Sequence, residues 1–279
     1  MLIPPSIPRA LHRILPARLR TALRKSRKLR RAAEFLFNGT SHLPFPDSDF
    51  EFYFDGYRNI GFGARISSYE HEEQQAVQRI LAHMQPTSVW DVGANIGIWS
   101  LFFTTLCPSS AEIRCFEPDP KNLEFLRMNM LRNNIGNWLI RAVALSSREG
   151  VGTFYSDPVS GATGSLELES DFVGKHFNAV RGAYLVDLAT IDSEIASGAT
   201  PPEFMKIDVE GHELEVLEGA KETLRRYRPI LIFETTQNHS QVAKFLRTLD
   251  YDLVNLNGEL IDLPAFSTLA KPAEIDWRF

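Results

Sequence analysis

The residues of this sequence best suited to chemistry are four acidic side chains that follow directly on apolar, strand-like runs. They are Asp91, Glu117, Asp208 and Glu234. The carboxyl ends of strands in an open α/β sheet meet at one edge, so these acids are expected to lie close together. Clustered carboxylates repel one another, and buried ones are costly unless they are paired. The pattern therefore indicates a ligand or a metal at this edge.

The chain turns on two glycines just after the first of these acids. An apolar run ends at Asp91, Gly93 and Gly97 follow in a Gly-x-x-x-Gly spacing, and apolar residues then recur at helical spacing. Such a strand–loop–helix presents backbone N–H groups and lets a ligand approach where a Cβ would block it. The spacing is not the G-x-G-x-x-G of dinucleotide folds, and Asp91 would repel a pyrophosphate. S-adenosylmethionine, which carries a sulfonium and an ammonium but no phosphate, is therefore the expected cofactor, and the alternative is a close-packed βα junction.

The second acid stands where a ribose would be bound. Glu117 follows Gly93 by 24 residues, which suits a carboxylate that accepts hydrogen bonds from both ribose hydroxyls. Pro118 and Pro120 stiffen the corner and suit a wall against an adenine. In the alternative, Glu117 is an N-cap or first-turn acid of the helix that begins near Pro120.

The densest cluster of charged side chains begins at Lys206. Strand alternation puts Lys206 and Asp208 on one side, and Gly211 lets the following turn pass close to a ligand. Methyl transfer to a hydroxyl depends on alignment and on removal of the hydroxyl proton. Asp208 is expected to face the reacting centre, and Asp208, Glu210 or His212 could supply the base.

This cluster also has less specific interpretations. His212 and Glu213 could cap the following helix and pair with its dipole, and Lys206 could form a salt bridge to a neighbouring acid. An Asp, a Glu and a His so close could hold Mg²⁺ or Mn²⁺. Their spacing matches no recognised metal signature, and no metal is expected.

Composition and charge limit the classes of function. The chain has 279 residues, 44% of them hydrophobic, which suffices for one catalytic-size domain with additions. Ten of its 30 Lys and Arg residues precede the first acid, Glu34, so the remainder carries 20 basic against 35 acidic residues. A body this acidic is a poor nucleic-acid binder. Cys107 and Cys115 show no disulfide or metal spacing and are expected to be buried hydrophobes in a reducing, cytoplasmic setting.

The N-terminal arm carries the positive charge. Apolar residues recur at near-helical spacing between Leu19 and Leu36, with Arg and Lys between them, which predicts a basic amphipathic helix. It could lie on an anionic membrane surface, act as an organelle transit segment, or pack as a solvated helix against the body or a partner. No apolar run reaches the length of a membrane span, and no signal-peptide core is evident. The membrane interaction that the sequence allows is therefore peripheral contact through residues 1–36.

The order of the elements predicts a doubly wound, mostly parallel α/β sheet. Strands are expected at 88–92, 112–116, 138–144, 203–208, 229–234 and 251–255, and helices at 69–84, 97–106, 120–133, 212–227 and 239–249. Asn257-Gly258 reads as a hairpin turn into an antiparallel last strand at 260–261. The expected divisions are the basic arm (1–40), an aromatic-rich cap with an Asp55-Gly56 hairpin turn and a lead-in helix (41–86), the main domain (87–265) with an insertion at 150–187, and a C-terminal tail (266–279).

The sequence resembles the FkbM-type S-adenosylmethionine-dependent methyltransferases. The resemblance covers about residues 87–236 and rests on segments that occur in the family's order, of which the first, second and fifth in combination are specific. These are Asp91-Val92-Gly93-Ala94-Asn95-Ile96-Gly97, Glu117-Pro118-Asp119-Pro120, Asn129 to Asn134, Ala144-Leu145-Ser146, Lys206 to Glu213, and Arg228-Pro229 to Glu234.

The resemblance implies a class I methyltransferase sheet and O-methylation of a sugar or polyketide hydroxyl. By similarity, the loop after Asp91 holds the methionine part of the cofactor, Glu117 holds the ribose, and the turn around Asp208 is the transfer site. The expected cofactor-binding residues are Asp91, Gly93, Ala94, Asn95, Gly97, Glu117, Pro118 and Ala144. The acceptor, a small molecule or glycan such as a sugar, a glycolipid or a secondary metabolite, would be chosen by the parts outside the matched region.

Two other functions compete with methyl transfer. A nicotinamide oxidoreductase is disfavoured by the glycine spacing and by the absence of a Tyr-x-x-x-Lys pair near a strand end. A non-catalytic protein could use the basic arm to bind a membrane or a partner while retaining a cofactor site. The intact Asp91, Glu117 and Asp208 argue against a decayed site. The sequence does not define an oligomeric state.

Overall fold

The computed structural model describes residues 26–37, 39–167, 172–177 and 179–276 of the chain. The strands are β1 (Thr40–Pro44), β2 (Glu51–Asp55), β3 (Ser88–Val92), β4 (Glu112–Phe116), β5 (Trp138–Arg141), β6 (Ala144–Leu145), β7 (Gly150–Ser156), β8 (Gly182–Ala189), β9 (Phe204–Ile207), β10 (Ile230–Glu234), β11 (Tyr251–Val254) and β12 (Ser267–Pro272). The helices are α1 (Arg27–Phe37), α2 (Ile60–Arg65), α3 (His71–Met84), α4 (Ile98–Leu106), α5 (Pro120–Arg132), α6 (Phe172–Phe177), α7 (Ile191–Ala196), α8 (Glu213–Glu218), α9 (Lys221–Tyr227) and α10 (His239–Arg247). A 3₁₀ turn at Ile66–Ser68 joins α2 to α3.

Seven strands form the main sheet in the order β11-β12-β10-β9-β3-β4-β5. The pairs from β10 to β5 are parallel, whereas β12 runs antiparallel to both β10 and β11. The strand order reverses between β3 and β9, which is where ligands bind in open α/β sheets. The predicted fold class, a mostly parallel doubly wound sheet with an antiparallel last strand, is confirmed.

Helices cover both faces of this sheet, which explains why its central strands β3, β9 and β10 are buried along nearly their whole length. On β3, Val89 packs into one core with α3, α4 and α5, whereas the next residue, Trp90, packs into the other core with α7 to α10. Both side chains are fully buried. Because the two cores fix β3 from both sides, the residues at its carboxyl end are held firmly at the switch point.

The strand pair β1–β2 packs on α5 through two asparagines. The backbone N–H of Tyr53 donates to Asn129 Oδ1 at 2.6 Å, and that of Glu51 donates to Asn133 Oδ1 at 2.8 Å. The predicted hairpin turn at Asp55-Gly56 is wrong, because the β1–β2 turn lies at residues 45–50 and Asp55 ends β2.

The insertion builds a second sheet of order β6-β8-β7. The predicted strand 138–144 is therefore divided: residues 138–141 pair with β4, whereas Ala144 and Leu145 leave the main sheet and pair with β8. Between β7 and β8, residues 157–167 pass across the carboxyl edge of the main sheet, and we call them the strap. Ser165 Oγ donates to the Glu210 carbonyl at 2.8 Å, and Asn95 Nδ2 donates to the Gly161 carbonyl at 2.9 Å. The predicted position of the insertion over the active edge agrees with these contacts.

The last strand and the helix before β10 differ from their predicted bounds. The last strand is β12 at Ser267–Pro272 and not 260–261, where the structure has only an isolated bridge between Val254 and Leu260. Residues 266–279 were expected to form a C-terminal tail, but Ser267–Pro272 form a strand of the main sheet. The predicted helix 212–227 is divided at Gly219, where a Cβ would lie 2.0 Å from the Ser146 carbonyl oxygen.

The structure describes only part of the predicted basic arm. Of the predicted arm helix, α1 is observed at residues 27–37, and the rest lies outside the described residues. None of the described helices is long and apolar enough to cross a membrane.

Candidate functional site

Two adjoining clefts open at the carboxyl edge of the main sheet, at the switch point between β3 and β9. The first encloses about 580 Å³ of space, part of it open to solvent, and Glu117, Pro118, Ala144 and His212 line it. The second encloses about 500 Å³. Its lining includes Glu70, Asp91, Ala94, Trp99, Lys206 and Glu234. Both clefts share the lining residues Gly93, Asn95, Ala162, Asp208 and Glu210.

The structure brings together nearly all of the predicted site residues. Each predicted catalytic or cofactor-binding residue lines at least one cleft, except Gly97. Gly97 lies behind the loop at the start of α4, with a φ of +91°, and a Cβ there would lie 2.7 Å from Leu126 Cδ1. Its role is therefore close packing of the loop against α5.

The glycine loop uses its own backbone donors internally. The N–H groups of Gly93 and Ala94 donate to the Phe116 carbonyl, and that of Asn95 donates to Glu117 Oε2 at 2.8 Å. The next two N–H groups bond within the loop. The expectation that this loop presents N–H groups to a ligand is therefore wrong for residues 93–97. Gly93 has a φ of +84°, and a Cβ there would lie 1.9 Å from the Asp208 carbonyl oxygen, so this glycine lets the loop pack closely against the backbone that follows β9.

Asp91 carries a buried oxygen that lacks a partner. Its side chain is fully buried, and Oδ2 accepts a hydrogen bond from Ser100 Oγ at 2.5 Å. Among the described residues, no donor reaches Oδ1. Burial raises the pKa of Asp91 to about 6, although Lys206 opposes this shift. Since buried acceptors are normally paired, Oδ1 marks a place for a donor or a cation in the second cleft.

Glu117 is held at the floor of the first cleft. It is 4% exposed, and its carboxylate accepts hydrogen bonds from the backbone N–H groups of Asn95 and Asp119, both at 2.8 Å. Burial raises the pKa of Glu117 to about 8. The alternative role of Glu117 as a helix N-cap is wrong. The N-cap residue of α5 is Asp119, whose side chain accepts a hydrogen bond from the Lys121 N–H.

Several carboxylates surround one buried lysine in the second cleft. Lys206 is 3% exposed, donates to Asp208 Oδ2 at 2.8 Å and lies 5.4 Å from the centre of the Trp99 ring. Burial alone would lower the pKa of Lys206, but Asp208, Glu70 and other neighbouring acids raise it above its usual value. The contact between Lys206 and Asp208 agrees with the interpretation of Lys206 as a salt-bridge residue. The acidic side chains that line this cleft still outnumber the Lys206 ammonium group.

Glu210 is the cluster acid with the most freedom to act. It has a φ of +54°, and within the described part of the chain no hydrogen-bond donor pairs with its carboxylate. Burial, followed by the charge of Asp208, raises the pKa of Glu210 to about 8. A carboxyl group of this kind, on the wall shared by both clefts, can accept a proton near neutral pH.

His212 has both ring nitrogens engaged. It lies in the first cleft, where Nε2 is 2.9 Å from Ser146 Oγ and Nδ1 is 2.7 Å from Glu167 Oε1. It stands at the N-cap position of α8 without making a side-chain cap hydrogen bond. Glu213 bonds in this turn instead, accepting from the Gly211 N–H at 2.9 Å.

Sequence reasoning missed residues that reach the site from outside the strand–helix pattern. Glu70 accepts a hydrogen bond from Trp99 Nε1 at 2.6 Å and faces Lys206. Arg58 is buried and donates to Asp119 Oδ2 at 2.7 Å and to Asn122 Oδ1 at 2.9 Å. Neither Glu70 nor Arg58 belongs to a strand end or a motif, so no local signal could have identified them.

The raised pKa values give the ligand-free protein a definite pH dependence. The folded-state pKa is about 6 for Asp91, 7 for Glu213, 8 for Glu117 and Glu210, and 9 for Glu234. Unfolded carboxyl groups titrate near 4, so between these values the folded state binds more protons and its stability falls as pH rises. We expect the Tm to decrease from about pH 6 to about pH 9. A Tm that is constant or rises over this range in calorimetry would contradict the burial of these groups.

The chain is similar to two proteins that are named as methyltransferases. It is 30% identical over 162 residues to the hexuronic acid methyltransferase AglP of Haloferax volcanii, covering 57% of this chain and 61% of that protein. It is 29% identical over 180 residues to the 2-O-methyltransferase NoeI of Sinorhizobium fredii, covering 61% of this chain and 72% of that protein. The match thus spans about three-fifths of the length of AglP.

A solved structure and a family model complete the comparison. The crystal structure of a methyltransferase FkbM from Methylobacillus flagellatus KT is 17% identical, with a TM-score of 0.48 over 76% of this chain and 52% of that chain. Residues 91–261, more than half of the chain, match the model of the methyltransferase FkbM domain. This region runs from the last two residues of β3 through β11 and contains all of the predicted site residues. The chain belongs to the FkbM methyltransferase domain family.

Proposed function

We propose that this protein is an S-adenosylmethionine-dependent O-methyltransferase that transfers a methyl group to a hydroxyl of a sugar or related acceptor. The observation that carries this proposal is the buried, unpaired Oδ1 of Asp91 in a cleft with an excess of carboxylates. Such a cleft suits a ligand that brings positive charge. The names of the similar proteins support the choice of methyl transfer and of a sugar acceptor.

The residues of the two clefts fit the parts of this cofactor. Asp91 would accept hydrogen bonds from its ammonium group, and the cofactor's chain would pass Gly93, which lines both clefts. Glu117 would accept from the ribose hydroxyls through Oε2, which has a further lone pair after accepting from the Asn95 N–H. Its Oε1 already accepts from the Asp119 N–H and, at 3.4 Å, from Asn122 Nδ2. Pro118 and Ala144, which line the same cleft, would flank the adenine.

Proton removal is assigned to the turn after β9. When bound, S-adenosylmethionine would supply a methyl group to the hydroxyl oxygen, and its sulfur would leave as the neutral thioether of S-adenosylhomocysteine. Glu210 lies on the wall shared by both clefts and would take the proton of that hydroxyl. Asp208 fixes the Lys206 ammonium and would hold the reacting groups in line. The arrangement favours Glu210 over His212 as base, because both ring nitrogens of His212 already have partners.

The charge of the second cleft restricts the acceptor. Among the described residues that line it, Lys206 is the only cation, and it already pairs with Asp208. A carboxylate on the acceptor would find no free cation among these residues, and the Asp91 and Asp208 carboxylates of the same cleft would repel it. We therefore propose an acceptor whose hydroxyl-bearing ring is uncharged, such as a neutral sugar on a glycan, a glycolipid or a secondary metabolite.

An assay with labelled methyl donor tests this function and its acceptor. We expect methyl glycosides of neutral hexoses to be methylated at least about tenfold faster than those of hexuronic acids, which corresponds to about 1.4 kcal/mol. Equal or faster transfer to the hexuronates would refute the charge argument. Parallel titrations with S-adenosylmethionine and NAD separate the competing functions. Binding of NAD alone would support an oxidoreductase, and cofactor binding without transfer to any acceptor would support a non-catalytic protein.

The basic arm is proposed to contact anionic membranes. Most of it lies outside the described residues, but in α1 the side chains of Lys28, Arg31 and Phe35 are exposed. A basic, partly apolar helix of this kind binds anionic lipid surfaces. We expect a variant without residues 1–36 to bind S-adenosylmethionine as the full chain does and to lose affinity for phosphatidylglycerol vesicles in a flotation assay. If the full chain does not bind these vesicles at low salt, the membrane proposal is wrong.

A further inference from the structure

Three side chains from the strap and from α8 meet at one point beside the first cleft. Glu167 ends the strap, His212 precedes α8, and Glu215 lies in the first turn of α8. The distance from His212 Nδ1 is 2.7 Å to Glu167 Oε1 and 3.7 Å to Glu215 Oε2. The three donor atoms all lie within 4.8 Å of one another. Methyl transfer as proposed above uses neither of these two glutamates.

We propose that Glu167, His212 and Glu215 bind a divalent transition-metal ion. Ligand atoms about 2.1 Å from a common metal stand about 3.0–3.5 Å apart in tetrahedral or octahedral geometry. The two distances from His212 Nδ1 fall on either side of this range, so rotations of the two partly exposed glutamate side chains would complete the site. His212, at the N-cap position of α8, and Glu215 are three residues apart and meet on the same side of this turn.

Glu215 provides an observation that is independent of the clustering. Its Oε2 is shielded from solvent and, among the described residues, receives no hydrogen bond. A buried carboxylate oxygen in this situation requires a positively charged or donating partner. The atom faces the His212 ring, where a metal would lie between Oε2 and Nδ1.

The other ring nitrogen of His212 is already arranged for coordination through Nδ1. Metal-bound histidines usually donate their second ring N–H to an oxygen, which fixes the tautomer and the orientation of the ring. Nε2 lies 2.9 Å from the buried Ser146 Oγ. On metal binding, the ring proton would leave Nδ1, where Glu167 now accepts it, and Nε2–H would donate to Ser146 Oγ. The change is a tautomer shift, so no net proton need be released if the ring is neutral.

The ligand set indicates the class of metal. One imidazole and two carboxylates suit Zn²⁺, Mn²⁺, Fe²⁺ or Co²⁺, whereas Mg²⁺ and Ca²⁺ prefer oxygen ligands alone. The side chains of Glu167 and Glu215 are each 32% exposed, which leaves an approach for the ion and room for water ligands. The sequence alone did not predict this site, because Glu167 is 45 residues from His212 and no spacing joins them.

A metal here would fasten the strap to the turn after β9. The strap is otherwise tied to that turn through Ser165 Oγ, which donates to the Glu210 carbonyl at 2.8 Å, and Glu167 follows two residues later. Leu166 and His212 both line the first cleft. The ion would therefore stabilise the position of the strap over this cleft.

Calorimetric titration of the chelator-treated full chain with Zn²⁺, Mn²⁺ and Mg²⁺ tests the site. We expect about one equivalent of Zn²⁺ or Mn²⁺ to bind at least about tenfold more tightly than Mg²⁺. Glu215→Gln should weaken this binding at least about tenfold, and Glu218→Gln, an exposed acid in the same helix, should bind as the wild type does. Hydrogen exchange adds a structural readout, because the metal should protect residues 157–167 in the wild type and in Glu218→Gln alone.

The outcomes are distinct. Less than half an equivalent of bound transition metal, or equal binding by Glu215→Gln and Glu218→Gln, would overturn the site. If Glu215→Gln fails to fold, as judged by circular dichroism, Glu167→Gln replaces it in the same comparison. Since the readouts are metal binding and exchange, they do not depend on whether the protein transfers methyl groups.

Discussion

Replacing Glu210 by Gln is expected to lower methyl transfer by about 100-fold or more, which is the usual contribution of a positioned acid–base group. The substitution keeps the size of the side chain and removes only its capacity to take a proton. No hydrogen bond to a described residue is lost, because none pairs with this carboxylate. The affinity for S-adenosylmethionine should change much less than the turnover, so kcat and the cofactor Kd are measured together.

Two companion variants identify the role of the turn. Asp208→Asn is also expected to reduce turnover about 100-fold, because it removes the charge that holds the Lys206 ammonium. His212→Ala should leave the pH profile unchanged in shape if its role is to support the strap. A Glu210→Gln enzyme with wild-type turnover would move the base elsewhere, and Glu234 would then be the next candidate.

The pH profile separates proton transfer from alignment. Burial raises the pKa of Glu210 to about 8, and the base must be deprotonated to act, so kcat/KM for the acceptor should rise with pH toward that value. A bound cation would stabilise the carboxylate and move this rise to lower pH. The rise should be absent in Glu210→Gln and present in His212→Ala. Identical profiles in all three enzymes would mean that alignment alone determines the rate.

The strand-end acids could be predicted because each follows directly on an apolar run. Asp91, Glu117 and Asp208 are placed at the edge of the sheet by the strands before them, and the strand order follows from the alternation of strands with helices. Local pattern was sufficient at these positions. The two clefts accordingly contain nearly every residue selected from the sequence.

What could not be predicted depends on contacts between distant residues. Glu70 reaches the second cleft from the turn before α3, and the carboxylate of Glu117 takes the N–H of Asn95, a donor that the sequence assigned to a ligand. The position of β12 was missed for a different reason. Its sequence includes a proline, Pro272, and three polar residues, Ser267, Thr268 and Lys271. In contrast, Asn257-Gly258 is a strong hairpin signal in a segment that forms only one bridge.

Replacing Glu117 by Ala is expected to weaken binding of S-adenosylmethionine by about 1.5–3 kcal/mol, the scale of a lost charge-assisted hydrogen bond, or about 10- to 150-fold in Kd. The substitution also leaves the N–H groups of Asn95 and Asp119 without their acceptor. Glu117→Gln, which keeps one acceptor oxygen, therefore accompanies it and should show a smaller loss. Glu124→Gln, an exposed acid on α5, is the matched control and should bind as the wild type does.

Cofactor binding at Glu117 is expected to release a proton. Burial raises the pKa of Glu117 to about 8 in the ligand-free protein, whereas hydrogen bonds from ribose hydroxyls favour the carboxylate. Binding below pH 8 must then expel a proton, so affinity should fall as pH falls, by up to about tenfold per unit for this group. Asp91, with its pKa at about 6, adds to the fall at lower pH. Calorimetry in buffers of different ionisation enthalpy measures the proton directly, and Glu117→Gln should release less of it near pH 7.5. Equal proton release in wild type and variant, together with an unchanged Kd, would remove Glu117 from the ribose site.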